Sequence, residues 1–239
     1  MQAIVLVGGK GSRMWPLTAS QPKAMIAVSG KPLIHHHLEW LRSEGVREVV
    51  IACGYHANQI TEYFTLSPVS GLRVSFSIED QPLGRGGAAK KAHELIPTRS
   101  APCIISQGDT ISDMPLRAAF EAHIRDSHGA GITLTLLLVP YRSRHGVVDL
   151  DNRGLVTRFR EKPLLPYWAH AGTYIASPYF FKSLPDQGDE NSAVENLVSQ
   201  KKVGSFQSSA YWRSVDTPKD LGEAEADLKL PSLPHEQTF

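Results

Sequence analysis

An apolar run from Ala3 to Val7 leads straight into Gly8-Gly9-Lys10-Gly11-Ser12-Arg13-Met14-Trp15-Pro16-Leu17-Thr18. Glycines let backbone N–H groups approach an anion closely, and Lys10 and Arg13 add positive charge beside them. That combination suits a phosphate. Two familiar phosphate loops do not fit. A dinucleotide GxGxxG needs glycine where Met14 stands, and a Walker A loop needs Gly-Lys-Ser/Thr after four spacers. A bare Gly-x-Gly is most simply a turn with solvated cations. This run is longer, and Gln21-Pro22-Lys23-Ala24-Met25 follows it closely. His35-His36-His37 lacks metal-site spacing, because consecutive helical residues point in different directions. It reads as a His-rich helix face, and Trp15 as a cover for the loop. Cys53 and Cys103 have no CxxC or zinc spacing and read as buried, inert thiols.

These groups need a scaffold. Continuous apolar runs at Ala3–Val7, Glu48–Cys53 and Pro102–Ser106 suit strands buried on both faces. Arg73–Ile78 alternates as a strand, and Gly131–Val139 is a longer one. Between them, Pro32–Glu44, Asn58–Thr65, Gly86–Ile96 and Leu116–Ser127 carry helical spacing. Strand and helix alternating at these intervals predict an α/β fold. Its centre is a Rossmann-like mixed, mainly parallel sheet flanked by helices. After Val139 the rhythm changes. Val147–Leu150, Gly154–Phe159 and Ala169–Ala176 read as strands joined by short turns, a smaller antiparallel elaboration. Helical patterns return at Glu190–Lys201 and Pro218–Leu228. Residues 1–229 are expected as a single domain, and 230–239 as a loose tail.

The chain has 239 residues, with 25 Lys plus Arg against 24 Asp plus Glu, a net charge of +1. Near-neutral charge argues against a nucleic-acid-binding surface. Apolar stretches fall far short of the ~20 residues of a membrane helix. The N-terminus has no signal-peptide pattern, so a soluble cytoplasmic protein is expected.

The motifs together resemble the sugar-1-phosphate nucleotidylyltransferases. Gly-Gly-x-Gly-x-Arg-Met-x-Pro-Leu-Thr, followed by Pro22-Lys23-x-Met25, is similar to that family's signature. Gly30-Lys31-Pro32-Leu33-Ile34 is similar to its helix opening. Gln81-Pro82-Leu83-Gly84 with Gly86-Gly87-Ala88 resembles its base-binding segment. Gln107-Gly108-Asp109 resembles an Asn-Gly-Asp metal site. Glu161-Lys162-Pro163, and Trp212 through Val215-Asp216-Thr217, resemble its later motifs. These landmarks stand in family order over residues 1 to about 222.

The resemblance implies a reaction and a cast. A sugar-1-phosphate oxygen attacks the α-phosphorus of a nucleoside triphosphate, and pyrophosphate leaves. The substrates would be those two small molecules, with no nucleic acid and no membrane. Arg13 would meet the pyrophosphate and Lys23 the α-phosphate. Asp109 and Asp216 would hold Mg²⁺, a hard ion suited to carboxylates and phosphates. Leu6, Gly8, Gly9, Gly11, Ser12, Gln81, Gly86 and Gly87 would bind the nucleotide. Gly146, Glu161, Lys162, His170 and Gly172 would bind the sugar phosphate. Residues 1–140 would thus serve mainly the nucleotide and 141–229 mainly the sugar. A homodimer is compatible with the family.

Departures bear on base and sugar. Ser214 stands where the family most often has Asp, and Asp216 follows in a form that resembles cytidylyltransferases. Gln107 replaces an Asn, and His170 stands where an Asn usually contacts the sugar. The Glu79–Ala88 segment is most similar to guanylyltransferases for mannose- or heptose-1-phosphate. Cys53-Gly54-Tyr55 with Tyr63-Phe64 pulls toward CTP. GTP is expected ahead of CTP, UTP or dTTP. A non-catalytic subunit that senses nucleotide sugars is the alternative of another class, although such subunits tend to lose a metal carboxylate or the loop Arg. A nicotinamide dehydrogenase would need a different loop.

Overall fold

The computed structural model describes residues 1–230 and 232–234. Seven strands form the central sheet: β1 (Gln2–Leu6), β4 (Glu48–Cys53), β5 (Arg73–Ile78), β6 (Cys103–Gln107), β8 (Leu134–Arg142), β11 (Leu164–Ala176) and β12 (Val203–Gln207). Their order is β12-β8-β11-β6-β1-β4-β5. β1, β4, β5 and β6 pair in parallel, and β12 is parallel to β8. Only β11 runs against its neighbours. The expected mainly parallel sheet is therefore present. The antiparallel character foreseen for the second half holds for β8 with β11, and for the hairpin of β9 (Val147–Leu150) and β10 (Val156–Arg160). β12 departs from it.

Helices cover both faces, as the continuous apolar strands require. α1 (Leu33–Ser43), α2 (Ala57–Leu66) and α4 (Leu116–Gly129) lie over one face, with Leu38, Leu41, Ile60, Phe64 and Ala119 in one core around Val5, Ile51 and Ile104. α3 (Gly84–His93), α5 (Pro178–Ser183) and α6 (Asn191–Ser199) pack the other, where Ala89, Ala92, Phe180 and Leu197 meet Ile4, Val50 and Ile105. A third cluster joins Met14, Ile26, Val28 and Leu33 to Ile111, Val215 and Ala224. It fixes α7 (Pro218–Asp227) against the short hairpin of β2 (Ala27–Val28) and β3 (Lys31–Pro32). β7 (Thr110–Ser112) and β13 (Trp212–Ser214) form a further antiparallel pair.

Two boundaries move for local reasons. The expected Gly86–Ile96 helix runs from Gly84 to His93, because Pro97 disfavours helical backbone just before it. The strand expected at Gly131–Val139 begins at Leu134, after a turn in which Gly131 has φ +70°. Of the tail expected at 230–239, residues 231 and 235–239 lie outside the described residues. Leu233 packs, partly buried, on the third cluster. Among the described residues, no helix is long and apolar enough to cross a membrane.

Candidate active site

The glycine-rich loop leaves β1 at the carboxyl-terminal edge of the sheet, where open α/β folds collect ligands. Gly11 takes a left-handed conformation, φ +63°, and opens a 3₁₀ turn at Ser12–Met14. A Cβ on Gly11 would stand 2.8 Å from Lys23 Cβ. The loop is therefore folded directly onto Lys23, which opens its own 3₁₀ turn at Lys23–Met25. Thr18 Oγ1 donates to Gly11 O at 3.0 Å and closes the loop. Met14 anchors it from below, fully buried, whereas Trp15, expected to cover the loop, is 70% exposed.

Asp109 and Asp216 come from distant segments. β6 delivers Asp109. The β7–β13 pairing, Thr110 opposite Ser214, carries Asp216 to it, and Val215 N–H donates to Asp109 O at 3.0 Å. Asp216 then sits just ahead of α7. Asp220 Oδ2 accepts N–H bonds from Asp216 at 3.1 Å and Thr217 at 2.8 Å, completing a capping box. This fixes the acid's backbone.

The side chains converge on one ammonium. Lys23 Nζ lies 2.7 Å from Asp109 Oδ2 and 2.6 Å from Asp216 Oδ1. Arg13 reaches the same Asp216 oxygen at 2.9 Å. Ser214 Oγ donates to Asp216 Oδ2 at 3.1 Å, so the residue standing in the usual Asp position supports Asp216 instead. Burial works to raise the Asp216 pKa. The Lys23 hydrogen bond and charge, then Arg13 and Ser214, outweigh it and hold that carboxyl below its ordinary value. Asp109 Oδ1 is buried with no hydrogen-bond partner.

A cleft of about 370 Å³ runs over this cluster, lined by Leu6, Gly8, Gly9, Gly11, Ser12, Arg13, Lys23, Asp109 and Asp216 among others. Leu6, Gly8, Gly9, Gly11 and Ser12, with the four expected catalytic residues, meet here, whereas the loop cation Lys10 is not among the lining residues. The rest are placed elsewhere. Gln81 is exposed in a separate groove with Asp80 and Lys91. Gly86 and Gly87 lie under the 186–190 loop, their N–H groups on Gly188 O at 2.9 and 3.2 Å. Gly146, Glu161 and Lys162 gather at the base of the β9–β10 hairpin. There a Cβ on Gly146 would lie 3.3 Å from Glu161 Oε2, and Lys162 Nζ is 4.0 Å from Glu161. Lys162 holds φ +43°, a strained conformation for a residue with a side chain. His170 lines a neighbouring cavity of about 290 Å³ with Tyr174 and Glu190. Gly172 abuts Gln107.

Arg85 and Gln107 also line the cleft. Arg85 had no role in the sequence reading. Its Nε is held by Glu190 at 3.2 Å. The available signal was a cation among glycines just after a strand, the same grammar as Gly9-Lys10-Gly11. The three consecutive histidines do not form one face. His35 stacks on Phe64, His36 bonds Val28 O at 2.9 Å, and buried His37 bridges Thr110 O and Ser106 Oγ. Both cysteines are buried and free, and burial, then the Glu79 charge, pushes the Cys53 thiol up to about 11.

Cations and backbone N–H groups at a strand-end loop, facing two carboxylates, can hold a chain of phosphates. Comparison with known proteins agrees. The family model described as nucleotidyl transferase matches residues 2–230. The chain belongs to the nucleotidyl transferase family. It is 35% identical over 234 residues to the D-glycero-alpha-D-manno-heptose 1-phosphate guanylyltransferase of Aneurinibacillus thermoaerophilus, covering 96% of this chain and 99% of that one. It is 32% identical over 228 residues to the mannose-1-phosphate guanyltransferase of Candida albicans, covering 92% of this chain and 62% of that enzyme. This nucleotidyl transferase family member thus spans less than two thirds of the fungal relative. Among solved structures, HddC from Yersinia pseudotuberculosis complexed with GMP-PN superposes with TM-score 0.72 at 26% identity, over 95% of this chain and 99% of that one.

Proposed function

We propose that this protein is a sugar-1-phosphate guanylyltransferase: it transfers GMP from GTP to a mannose- or heptose-like 1-phosphate, forming a GDP-sugar and pyrophosphate. The observation that carries this is the convergence of Arg13, Lys23, Asp109 and Asp216 beneath the glycine-rich loop. The guanine preference is supported by the names of the relatives and by the GMP-PN in the HddC structure.

In the reaction, a sugar-phosphate oxygen forms a bond to the α-phosphorus as the bond to the bridging oxygen of pyrophosphate breaks. Both reactants are anionic, so charge neutralisation and in-line positioning dominate the barrier. The loop N–H groups of Gly8 to Ser12 would receive phosphate oxygens. Arg13, forked and exposed, suits the leaving pyrophosphate. Lys23 would stabilise charge gathering on the α-phosphoryl group. Glu161, Lys162, Gly146, His170 and Gly172 would take the sugar phosphate, giving 141–229 the sugar role and 1–140 the nucleotide role.

Mg²⁺ fits the acidic pair. Asp109 has an orphaned buried oxygen, and both carboxylates face one point, now held by Lys23 Nζ. Among the described residues no three ligating side chains cluster. A pair of carboxylates suits an ion that keeps waters and substrate phosphates in its shell. When bound by Asp109 and Asp216, it would supply further neutralisation of phosphate charge.

We also propose a cytoplasmic location and a homodimer; a monomer mass by light scattering would overturn the second. The deciding experiment measures pyrophosphate release with GTP, ATP, CTP, UTP and dTTP against a panel of sugar-1-phosphates, with Mg²⁺ and with chelator. Turnover fastest with GTP and a mannose- or heptose-type phosphate is expected. Absence of turnover with every pair would leave a sensing subunit.

A further inference from the structure

The turn that carries Asp109 is also a junction between two sheets. β6, which precedes it, lies inside the seven-stranded sheet between β1 and β11. β7, which follows it, pairs with β13 in a separate two-stranded sheet. The angle between β6 and β7 therefore decides where the Asp109 carboxylate stands. Backbone contacts fix two sides of the turn. Gly108 N–H donates to Leu6 O at 3.1 Å, and Val215 N–H donates to Asp109 O at 3.0 Å. A Cβ on Gly108 would stand 2.5 Å from Val7 Cγ1, so the turn is pressed directly onto the segment leaving β1.

A side chain spans the third side. His37 is fully buried on the inner face of α1, with Leu33, Ile34, Leu38 and Leu41. A polar ring buried there is costly unless its nitrogens are hydrogen-bonded. Its Nδ1 lies 2.9 Å from Thr110 O and its Nε2 lies 2.8 Å from Ser106 Oγ. Those partners stand one residue after Asp109 and three before it. Their chemistry fixes the tautomer. A carbonyl only accepts, so Nδ1 carries the hydrogen and donates to Thr110 O. The neutral ring then accepts at Nε2 from the Ser106 hydroxyl. One nitrogen is thus bonded to β7 and the other to β6. Trp40, also on α1, meets the ring edge-on with centroids 5.2 Å apart, and its Nε1 donates to Met114 O at 3.0 Å, just past β7.

A leucine or phenylalanine would bury this face of α1 as well. What histidine adds is a two-ended link across the junction. We propose that His37 is a positioning residue for the reaction: by tying β6 to β7 it holds the Asp109 carboxylate at the point where Lys23 Nζ also meets Asp216. His37 does not line the cleft, and it acts through Asp109. This rests on the catalytic part given to Asp109 and names what keeps that acid in place.

Steady-state kinetics of His37→Phe and His37→Gln, at a temperature where thermal unfolding shows each fully folded, test it. Phenylalanine keeps a ring and breaks both links. Its kcat should fall by ~10- to 100-fold, the scale of a catalytic group displaced by about 1 Å. KM for sugar-1-phosphate, and GTP affinity by calorimetry in chelator, should both stay within about threefold, because the glycine-rich loop, Arg13 and the hairpin base are untouched. Glutamine can offer an N–H to Thr110 O and an oxygen to the Ser106 hydroxyl, and should recover most of the lost kcat. Where His37→Phe does not fold, Ser106→Ala removes one link and keeps the ring, and should lower kcat about threefold or more with the same unchanged affinities. Wild-type kcat in the folded His37→Phe protein, or in Ser106→Ala, overturns the assignment. So does a loss of GTP and sugar-1-phosphate affinity as large as the loss of kcat, which would mark a general distortion of the fold. Wild-type turnover in Asp109→Asn would instead bring down the role of the acid itself, which separates the two failures.

Discussion

Lys23 Nζ is shared by two carboxylates, at 2.7 Å to Asp109 and 2.6 Å to Asp216, so changing either acid alters a small network rather than one pair. Asp109→Asn and Asp216→Asn should each remove most turnover while thermal unfolding stays cooperative. Wild-type turnover in Asp216→Asn would show that another group completes the acidic pair. Among the described residues Arg13 makes one ion pair, and most of its side-chain surface is left to solvent, open to the proposed pyrophosphate. Arg13→Ala should slow the chemical step by roughly 30- to 1000-fold, ~2–4 kcal/mol of barrier. A loss under about threefold in single-turnover measurements would end its assignment to pyrophosphate. Lys162 stands away from the cluster, at the hairpin base. Lys162→Ala should therefore raise KM for sugar-1-phosphate far more than for GTP, whereas Lys23→Ala should depress kcat. The reverse pattern would exchange the two substrates.

At the scale of elements, α7 anchors the backbone of Asp216, one of the two proposed metal-holding acids. Its Thr217–Asp220 capping box also binds the Asp216 N–H. Thr217→Ala should cost about 1 kcal/mol in urea unfolding, the usual worth of an N-cap. Asp220→Ala should lose more activity than its stability loss explains, because it also releases the Asp216 backbone. Equal activity in Asp220→Ala at a temperature where the variant is fully folded would show that β13 alone positions the acid. The glycine-rich loop obeys a similar constraint. Gly11 combines φ +63° with a Cβ direction blocked by Lys23, so loop conformation and lysine position are set together.

For the molecule as a whole, two buried histidines shape the response to acid. His37 and His123 are fully enclosed, and burial lowers both to about 4, against opposing contributions from the Thr110 carbonyl and Asp109 for the first and Asp126 for the second. Each is neutral in the fold, while the unfolded chain takes up protons at the ordinary value of ~6.5. Stability is therefore complete above that pH and drains as pH falls toward 4, by on the order of 1–3 kcal/mol per histidine. Urea midpoints at pH 7 and pH 5 should differ accordingly. His123→Gln, whose partners are Thr135 and Ser177, should flatten part of that slope. An unchanged slope would mean that other groups govern acid unfolding.

The sequence by itself determined what depends on local pattern. β1, α1, β4, β5 and α4 follow from apolar periodicity and their flanking breakers, and the loop from its run of glycines and cations. Those signals sit within one or two turns of chain, so burial of one face decides them. The β13, β7 and β12 strands were not legible, because three to five residues carry too little periodicity and their pairing is with distant chain. Yet β13 against β7 is what unites Asp109 and Asp216. Tertiary structure also decided that Gly86 and Gly87 accommodate the 186–190 loop, that Gln81 lies outside the cleft, and that Arg85 lies inside it. It alone set His37 across the turn that carries Asp109. Such placements depend on which strand lies next to which in the sheet, and that is settled by burial of both sheet faces over the whole chain rather than by any local spacing.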